Sequence, residues 1–379
     1  MSARSRDHGA TDLSDGDAAW AAALAALGPS PGRLRRLLAG RSPRAAWEAV
    51  LAGSHPADPE HRSYALARPE LPEQLDRRCR LGGIDVLVLG SALYPARLAA
   101  DPEAPAVLFS RGDPCAGSGR PCVAVVGTRS ATSAGRDRAF EIGATLAEAG
   151  AVVVSGLAAG IDLCALRGVL SHEGGTAVAV LGAAHDALVR TEQRHVADAL
   201  ARHGAVLSEL PPGAPAARWR FAVRNRVLVA LADLVVVVEC HEGGGAIHTV
   251  RYAGRRGVPV AVVPGSTASP ASDGTNALLV SGAHCVRGGR DTVDLLETIT
   301  SRRPAGSTAP VARLPSGAPE PPLDEVAASV LHALGADPVT LDAVVLRAGA
   351  SLAAAAVALE ELDRRGLARG EGGFWWRLR

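Results

Sequence analysis

The chain of 379 residues has no lysine, so all 40 of its basic residues are arginine. That absence excludes a standard phosphate-loop NTPase, whose lysine reaches the β- and γ-phosphates. Any phosphate contact must therefore come from arginine, a hydroxyl or backbone N–H groups. Asparagine occurs only at Asn225 and Asn276, while alanine makes up about a fifth of the chain. This is the imprint of a GC-rich genome, and a residue type kept against it marks constraint. The six cysteines form no CxxC pair, which excludes a zinc ribbon and a disulfide framework and fits thiols in a reducing cytoplasm. His241 and His248 lack a third ligand at suitable spacing, so no metal and no cofactor are expected. No Ser/His/Asp order or paired carboxylate set emerges, and no catalytic residue is assigned. The balance of 40 basic against 39 acidic residues excludes a globally basic nucleic-acid binder, so any such site must be a local cluster. The start of the chain lacks a signal-type apolar core, and no long apolar run is free of charges or Gly/Pro breaks. A cytoplasmic protein without a membrane span is expected.

What is present divides the chain into successive units. Residues 1–13 read as a disordered tip. Residues 14–80 carry short amphipathic helical patterns broken by Gly and Pro, a module of the sterile-alpha (SAM) or helix-hairpin-helix kind. From 81 to 301 the period changes, and apolar runs such as VAVVG (123–127), AVVVSG (151–156), AVAVLG (177–182) and LVVVVEC (234–240) alternate with helix-length segments. That alternation predicts an α/β fold, an extended doubly wound (Rossmann-like), mostly parallel sheet covered on both faces. Residues 302–322, rich in Pro, Gly, Ser and Ala, read as a linker. Residues 323–379 read as three helices and a hairpin, the outline of a winged helix. Its third helix carries nothing suited to base edges, which favours a dimerisation or partner-docking role.

In a doubly wound sheet, ligands bind beyond the carboxyl ends of the strands. After the run 123–127 come Thr128, Arg129 and Ser130, then Gly135 opening a helix. The turn at Gly127, Thr128 and Arg129 is predicted to offer backbone N–H groups, a hydroxyl and a guanidinium to one phosphate. It lacks the GxGxxG fingerprint of a nicotinamide enzyme. Ser155, Gly156 and Gly160 permit close backbone approach, and Asp162 could cap a helix or position an arginine. The segment 211–226 holds Arg218, Arg220, Arg224 and Arg226 with no acid, interleaved with Trp219 and Phe221. Arginines for phosphates and flat rings for unstacked bases are what single-stranded nucleic acid requires. The glycines 243–245, with Gly244 at the turn, form a further phosphate-cradling bend.

These stretches together resemble the DprA/Smf family of DNA-processing proteins. The carrying motifs are Tyr94-Pro95, Arg111-Gly112-Asp113, Val126-Gly127-Thr128-Arg129, residues 155–162 (SGLAAGID) and Ser208-Glu209 with Pro211-Pro212-Gly213. They continue with Arg224-Asn225-Arg226, the Gly244 turn with Thr249, and Pro264-Gly265 before Gly274-Thr275-Asn276. The resemblance covers about residues 85–300 and implies a dimeric single-stranded-DNA-binding protein of natural transformation and recombination. Such a protein protects incoming DNA and loads the RecA recombinase. It implies that Arg129 holds a phosphate, Arg218 contacts DNA and Phe221 stacks on a base. Ser155, Gly156 and the 224–226 turn (Arg224, Asn225, Arg226) are implied to line the same pocket. Departures from the family pattern are Leu166 for a His, Val189-Arg190 for Tyr-Pro, Gln193 for an Asn, Ala222 for a Pro and Gly243 for a Ser. The alternative is a nucleotide or nucleoside-monophosphate hydrolase on a similar sheet, whose catalytic Glu after a PGGxGT turn is missing from GGGAIHTVRYA (243–253). A nuclease would need a carboxylate cluster for Mg²⁺, which is also missing.

Overall fold

The structure, a computed structural model, describes residues 15–29, 31–58, 63–188, 190–301, 323–335, 338–364, 367–371 and 374–378. The expected tip at 1–13 and linker at 302–322 lie outside the described residues.

Four helices come first: α1 (Asp15–Ala26), α2 (Pro31–Leu38), α3 (Pro43–Leu51) and α4 (Leu71–Gly82). The α/β unit follows as β1 (Asp85–Val88), α5 (Ala96–Ala99), β2 (Val107–Gly112), β3 (Cys122–Val126), α6 (Ser133–Glu148), β4 (Val152–Ser155) and α7 (Ile161–Leu170). It continues with β5 (Ala177–Leu181), α8 (Thr191–His203), β6 (Ala205–Ser208), α9 (Arg218–Leu231), β7 (Leu234–Val237) and α10 (Gly245–Arg256). β8 (Val260–Val262), α11 (Asp273–Val280), β9 (His284–Cys285) and α12 (Gly289–Ser301) complete it. The last unit comprises α13 (Glu325–Ala333), β10 (Val339–Thr340), α14 (Leu341–Ala348), α15 (Leu352–Arg364), β11 (Ala368–Glu371) and β12 (Phe374–Arg377), three helices with a small antiparallel sheet, a winged helix.

The nine-stranded sheet has the order β1-β2-β6-β5-β4-β3-β7-β8-β9. β1 and β2 pair antiparallel, as do β2 and β6, and all other neighbours are parallel. The apolar runs form the strands because both faces are covered. In β3, Val123 and Val125 point into one core with α6 and α7, while Cys122, Ala124 and Val126 point into the other with α9 and α10. A third core joins α1–α4 to the sheet: Leu24, Leu37 and Trp47 pack with Val107 and Phe109 of β2. The strand order reverses at β3 and β7, which places a crevice beyond their carboxyl ends. The segment expected to present four arginines together is helical from Arg218 onward. Successive side chains there turn by about 100°, so they cannot share one surface. Among the described residues, no single helix is long and apolar enough to cross a membrane.

Candidate nucleic-acid interface

A cavity of about 430 Å³ opens at the reversal point, between the β3 and β7 ends, α9 and the start of α10. Gly127, Thr128, Arg129, Phe221, Arg224, Asn225 and Gly244 all reach it. The amide donors of the first turn, however, are already engaged. Gly127 N–H and Ala158 N–H donate to the Asp162 carboxylate, and Thr128 N–H donates to Glu239 O at 2.8 Å. The start of α6 is closed as well. The Glu239 carboxylate accepts from Thr132 N–H at 2.8 Å and from the Thr132 hydroxyl at 2.7 Å. Thr132 Oγ1 in turn accepts from Gly135 N–H at 3.0 Å. A carboxylate thus sits where an anion at this helix N-terminus would sit, which corrects the expectation that the amides of this turn hold phosphate. The turn presents the exposed Arg129 side chain, while the Thr128 hydroxyl accepts from Ser130 N–H at 3.2 Å. Glu239 is the residue that the sequence did not point out. Its position directly after the β7 run, on the neighbouring strand at the reversal point, is the available signal.

Arg129 lies with its guanidinium carbon 4.8 Å from the centre of the Phe221 ring, a cation–π distance. The ring rests on Gly182, where a Cβ would come within 2.7 Å of it. Charge and aromatic face are therefore adjacent at the cavity, brought there from β3 and α9.

Behind them lies a buried charge pair. Arg224, 5% exposed, donates from Nη1 to Gly156 O at 2.8 Å and to Val180 O, and from Nε to Asn225 Oδ1 at 3.2 Å. A Cβ on Gly156 would lie 2.3 Å from Arg224 Nη2 and 2.4 Å from Asp162 Oδ2, so glycine is what lets these charged groups approach. Burial pushes the Asp162 carboxyl up to about 6, against the pull of Arg224 and the two amides. Burial lowers Arg224 to about 10, so it stays charged at neutral pH.

The other predicted residues sit elsewhere. Ser155 is fully buried and donates to Val125 O at 2.7 Å, and Gly156 serves the pocket only from behind, as the gap just described. Arg226 is also 5% exposed, but its Nη2 meets Glu209 Oε2 at 2.5 Å, away from the cavity. The reading of residues 224–226 as a turn lining one pocket is corrected, because they lie on a helix and Arg226 faces the other way. Arg220 donates to Pro215 O at 3.0 Å and lines a small crevice with Pro31 and Leu34 of α2. Arg218 opens α9, and its side chain lies outside the described residues, as does that of Trp219.

The far wall is the start of α10. Gly243 takes a left-handed φ of +70°, a conformation that suits glycine where the family has Ser. The N–H groups of Gly244, Ala246 and Ile247 point at Cys240 Sγ. Two polar atoms in this wall, the buried Thr249 Oγ1 and His248 Nδ1, have no hydrogen-bond partner among the described residues. Orphaned polar atoms at a cavity are costly unless a ligand or water satisfies them. The departures from the family pattern are absorbed by packing. Leu166 is fully buried in the core beside α6, and Gln193 Nε2 donates at 2.7 Å to the carbonyl of Leu157, whose φ of +55° is rare for leucine. Ala222 lines the cavity, and Val189 lies outside the described residues. Among the described residues, no group of three or more His, Cys, Asp or Glu side chains could hold a metal ion.

The family model for DNA recombination-mediator protein A matches residues 85–297, and that for the DprA winged helix domain matches residues 314–373. A DNA processing protein DprA of Mycobacterium tuberculosis is 38% identical over 257 residues, which is 68% of this chain and 64% of the relative. The chain thus spans less than two thirds of that relative's length. The DNA processing protein DprA of Bacillus subtilis is 32% identical over 228 residues, 60% of this chain and 76% of the relative. The solved structure of DNA processing protein A from Streptococcus pneumoniae superposes with a TM-score of 0.60 at 27% identity, covering 72% of this chain and 95% of that one. DNA processing protein A from Helicobacter pylori, solved for its unique single-stranded DNA binding mode, superposes with a TM-score of 0.51 at 26% identity, covering 57% and 96%.

Proposed function

The chain belongs to the DNA recombination-mediator protein A (DprA) family, and from that membership we propose that it is a non-enzymatic single-stranded-DNA-binding protein of the cytoplasm. The observation that carries the reading is the exposed Arg129 guanidinium lying over Phe221 at the mouth of the 430 Å³ cavity. One group suits a phosphate and the other an unstacked base, and the cavity is of a size that takes a nucleotide unit. Thr249 and His248 supply further polar atoms to the bound unit, and Arg224 and Asn225 form the floor. Arg218 contributes a further phosphate contact from the start of α9.

On this reading the protein coats incoming single strands in natural transformation, protects them and loads RecA on them. It works as a homodimer. The surface we assign to the dimer is the face of α11 beside β9, supported by Val280, which is 92% exposed.

Fluorescence anisotropy with oligo-dT and a duplex of equal length, at about 50 and 200 mM salt, tests the binding. Preference for the single strand is expected, with affinity falling as salt rises. Arg129→Ala should weaken binding at least tenfold, and Phe221→Ala should remove about 1–3 kcal/mol of stacking. Preference for duplex, or undiminished binding when Arg129 and Arg218 are both replaced, would overturn the assignment. Release of base or phosphate from nucleoside monophosphates would instead favour the hydrolase reading.

A further inference from the structure

The loop between β4 and α7 is held in a costly shape. Leu157 has a φ of +55°, in the left-handed region where a Cβ is strained, and its side chain is fully buried in the core that α6, α7 and α8 share. Backbone of this kind persists only where its surroundings outweigh the strain. Here four bonds surround the residue. Gly156 O accepts from Arg224 Nη1 at 2.8 Å, and Leu157 O accepts from Gln193 Nε2 at 2.7 Å. Ala158 N–H donates to the Asp162 carboxylate, and Ala158 O accepts from Leu163 N–H at 3.1 Å. Three of these partners belong to α9 at the cavity or to α7, which continues the same loop. Gln193 comes from α8, outside the cavity.

The two middle bonds are made by one peptide unit, and it is trans. The C=O and N–H of a trans peptide point opposite ways. Gln193, gripping the Leu157 carbonyl on one side, therefore aims the Ala158 N–H at Asp162 on the other. The far end of the loop presses on the turn that carries Arg129. Ile161 N–H donates to Thr128 O at 3.3 Å, and a Cβ on Gly160 would lie 2.4 Å from Thr128 O and 2.7 Å from Arg129 O. Backbones this close have no slack, so a rotated 157–158 peptide displaces the chain beneath Arg129.

Resting on the single-stranded-DNA reading above, we propose that Gln193 is a positioning residue of the cavity, whose amide holds the Leu157–Ala158 peptide so that Asp162 keeps its amide donor and Arg129 its place. The requirement is for a donor. The glutamine amide supplies one, and a thioether of the same length does not. The ion pair that also joins α7 to α8, Arg167 Nη1 to Glu192 Oε1 at 3.0 Å, is exposed on both sides and cannot take over the task. Asp162 registers the loss. The charged groups facing it are Arg224 and Arg129, and Gly127 and Ala158 supply its amides. Without the Ala158 amide the charged carboxylate loses a bond, and the carboxyl titrates at a higher pH than in the wild type.

The test uses the full chain and follows oligo-dT affinity between about pH 5 and about pH 8. At the upper end, where Asp162 is charged, Gln193→Ala and Gln193→Met should each weaken binding about fivefold, the equivalent of one hydrogen bond. Both should also move upward the pH at which affinity falls. In the Asp162→Asn background, Gln193→Met should leave the pH profile unchanged. Glu192→Gln, which breaks the ion pair and spares the Leu157 bond, should keep the wild-type profile. Wild-type affinity and profile in both Gln193 variants, or an equal shift in Glu192→Gln, overturns this proposal alone. Weaker binding with an unshifted profile reduces Gln193 to packing and overturns it as well. Failure of the wild type to bind oligo-dT overturns the single-stranded-DNA reading together with it.

Discussion

Asp162 is a carboxyl in a place prepared for anions, and its titration is the clearest consequence of the pocket's chemistry. Its value in the folded protein, about 6, lies above the ordinary value near 3.9. The folded state therefore holds this proton more tightly than the unfolded chain, and stability from this group is lost as pH rises from about 4 through about 6. Seen from the ligand, protonation removes one negative charge from the cavity as pH falls through about 6. Oligo-dT affinity of the wild type should be higher at pH 5.5 than at pH 7.5. The diagnostic comparison is Asp162→Asn, whose affinity should change less over that interval. Equal pH dependence in both proteins would remove Asp162 from the binding equilibrium. His248, held neutral down to about 3, does not contribute to this window.

Among elements, the pair α6 and α7 shows how close approach is encoded. A Cβ at Gly143 would lie 2.1 Å from the Ala165 carbonyl oxygen, and one at Gly168 would lie 2.0 Å from that of Phe140. The two helices press backbone to backbone at these glycines, and their packing fixes the Gly127 and Gly160 turns that lead into the cavity. Gly143→Ala must push the helices apart and should cost about 1–3 kcal/mol or more, read as a lowered midpoint in denaturant unfolding. An unchanged midpoint would mean that α7 slides freely. Much of this level could be read from the sequence. Valine-rich runs bounded by glycine indicated the strands, and their alternation with helix-length segments from residue 81 indicated the α/β unit. β9 escaped because His284-Cys285 has no apolar run to announce it. The basic segment was legible as composition but not as geometry. Helical rotation sends Arg226 toward Glu209, while Phe221, Arg224 and Asn225 stay together at the cavity. The turn at 127–129 does line the cavity, yet Glu239 had to be seen in space before its use of the α6 terminus could be known.

For the molecule as a whole, a net charge of +1 describes neither end of it. Cations collect along the cavity and α10, while acids serve as internal partners, such as Asp101 and Glu103 for Arg256 and Asp233 for Arg97. The antiparallel strands β1 and β2 bind the N-terminal helices to one side of the sheet, and the opposite side ends at β9 beside the exposed Val280. If two copies join there, Val280→Asp should convert the protein to monomers by light scattering, with oligo-dT contacts at Arg129 preserved. A wild type that is already monomeric at micromolar concentration would dismiss the dimer. The resting contact between Arg129 and Phe221 has a meaning at this scale too. The free protein never offers a bare aromatic face to its neighbours, because the guanidinium shelters it. On the proposed reading, a base can take the ring only as Arg129 leaves it, and the departing charge is the one the adjoining phosphate needs. Stacking and ion pairing then arise in a single exchange, and nothing short of a nucleotide, neither a loose ring nor a lone anion, repays the cost of opening it.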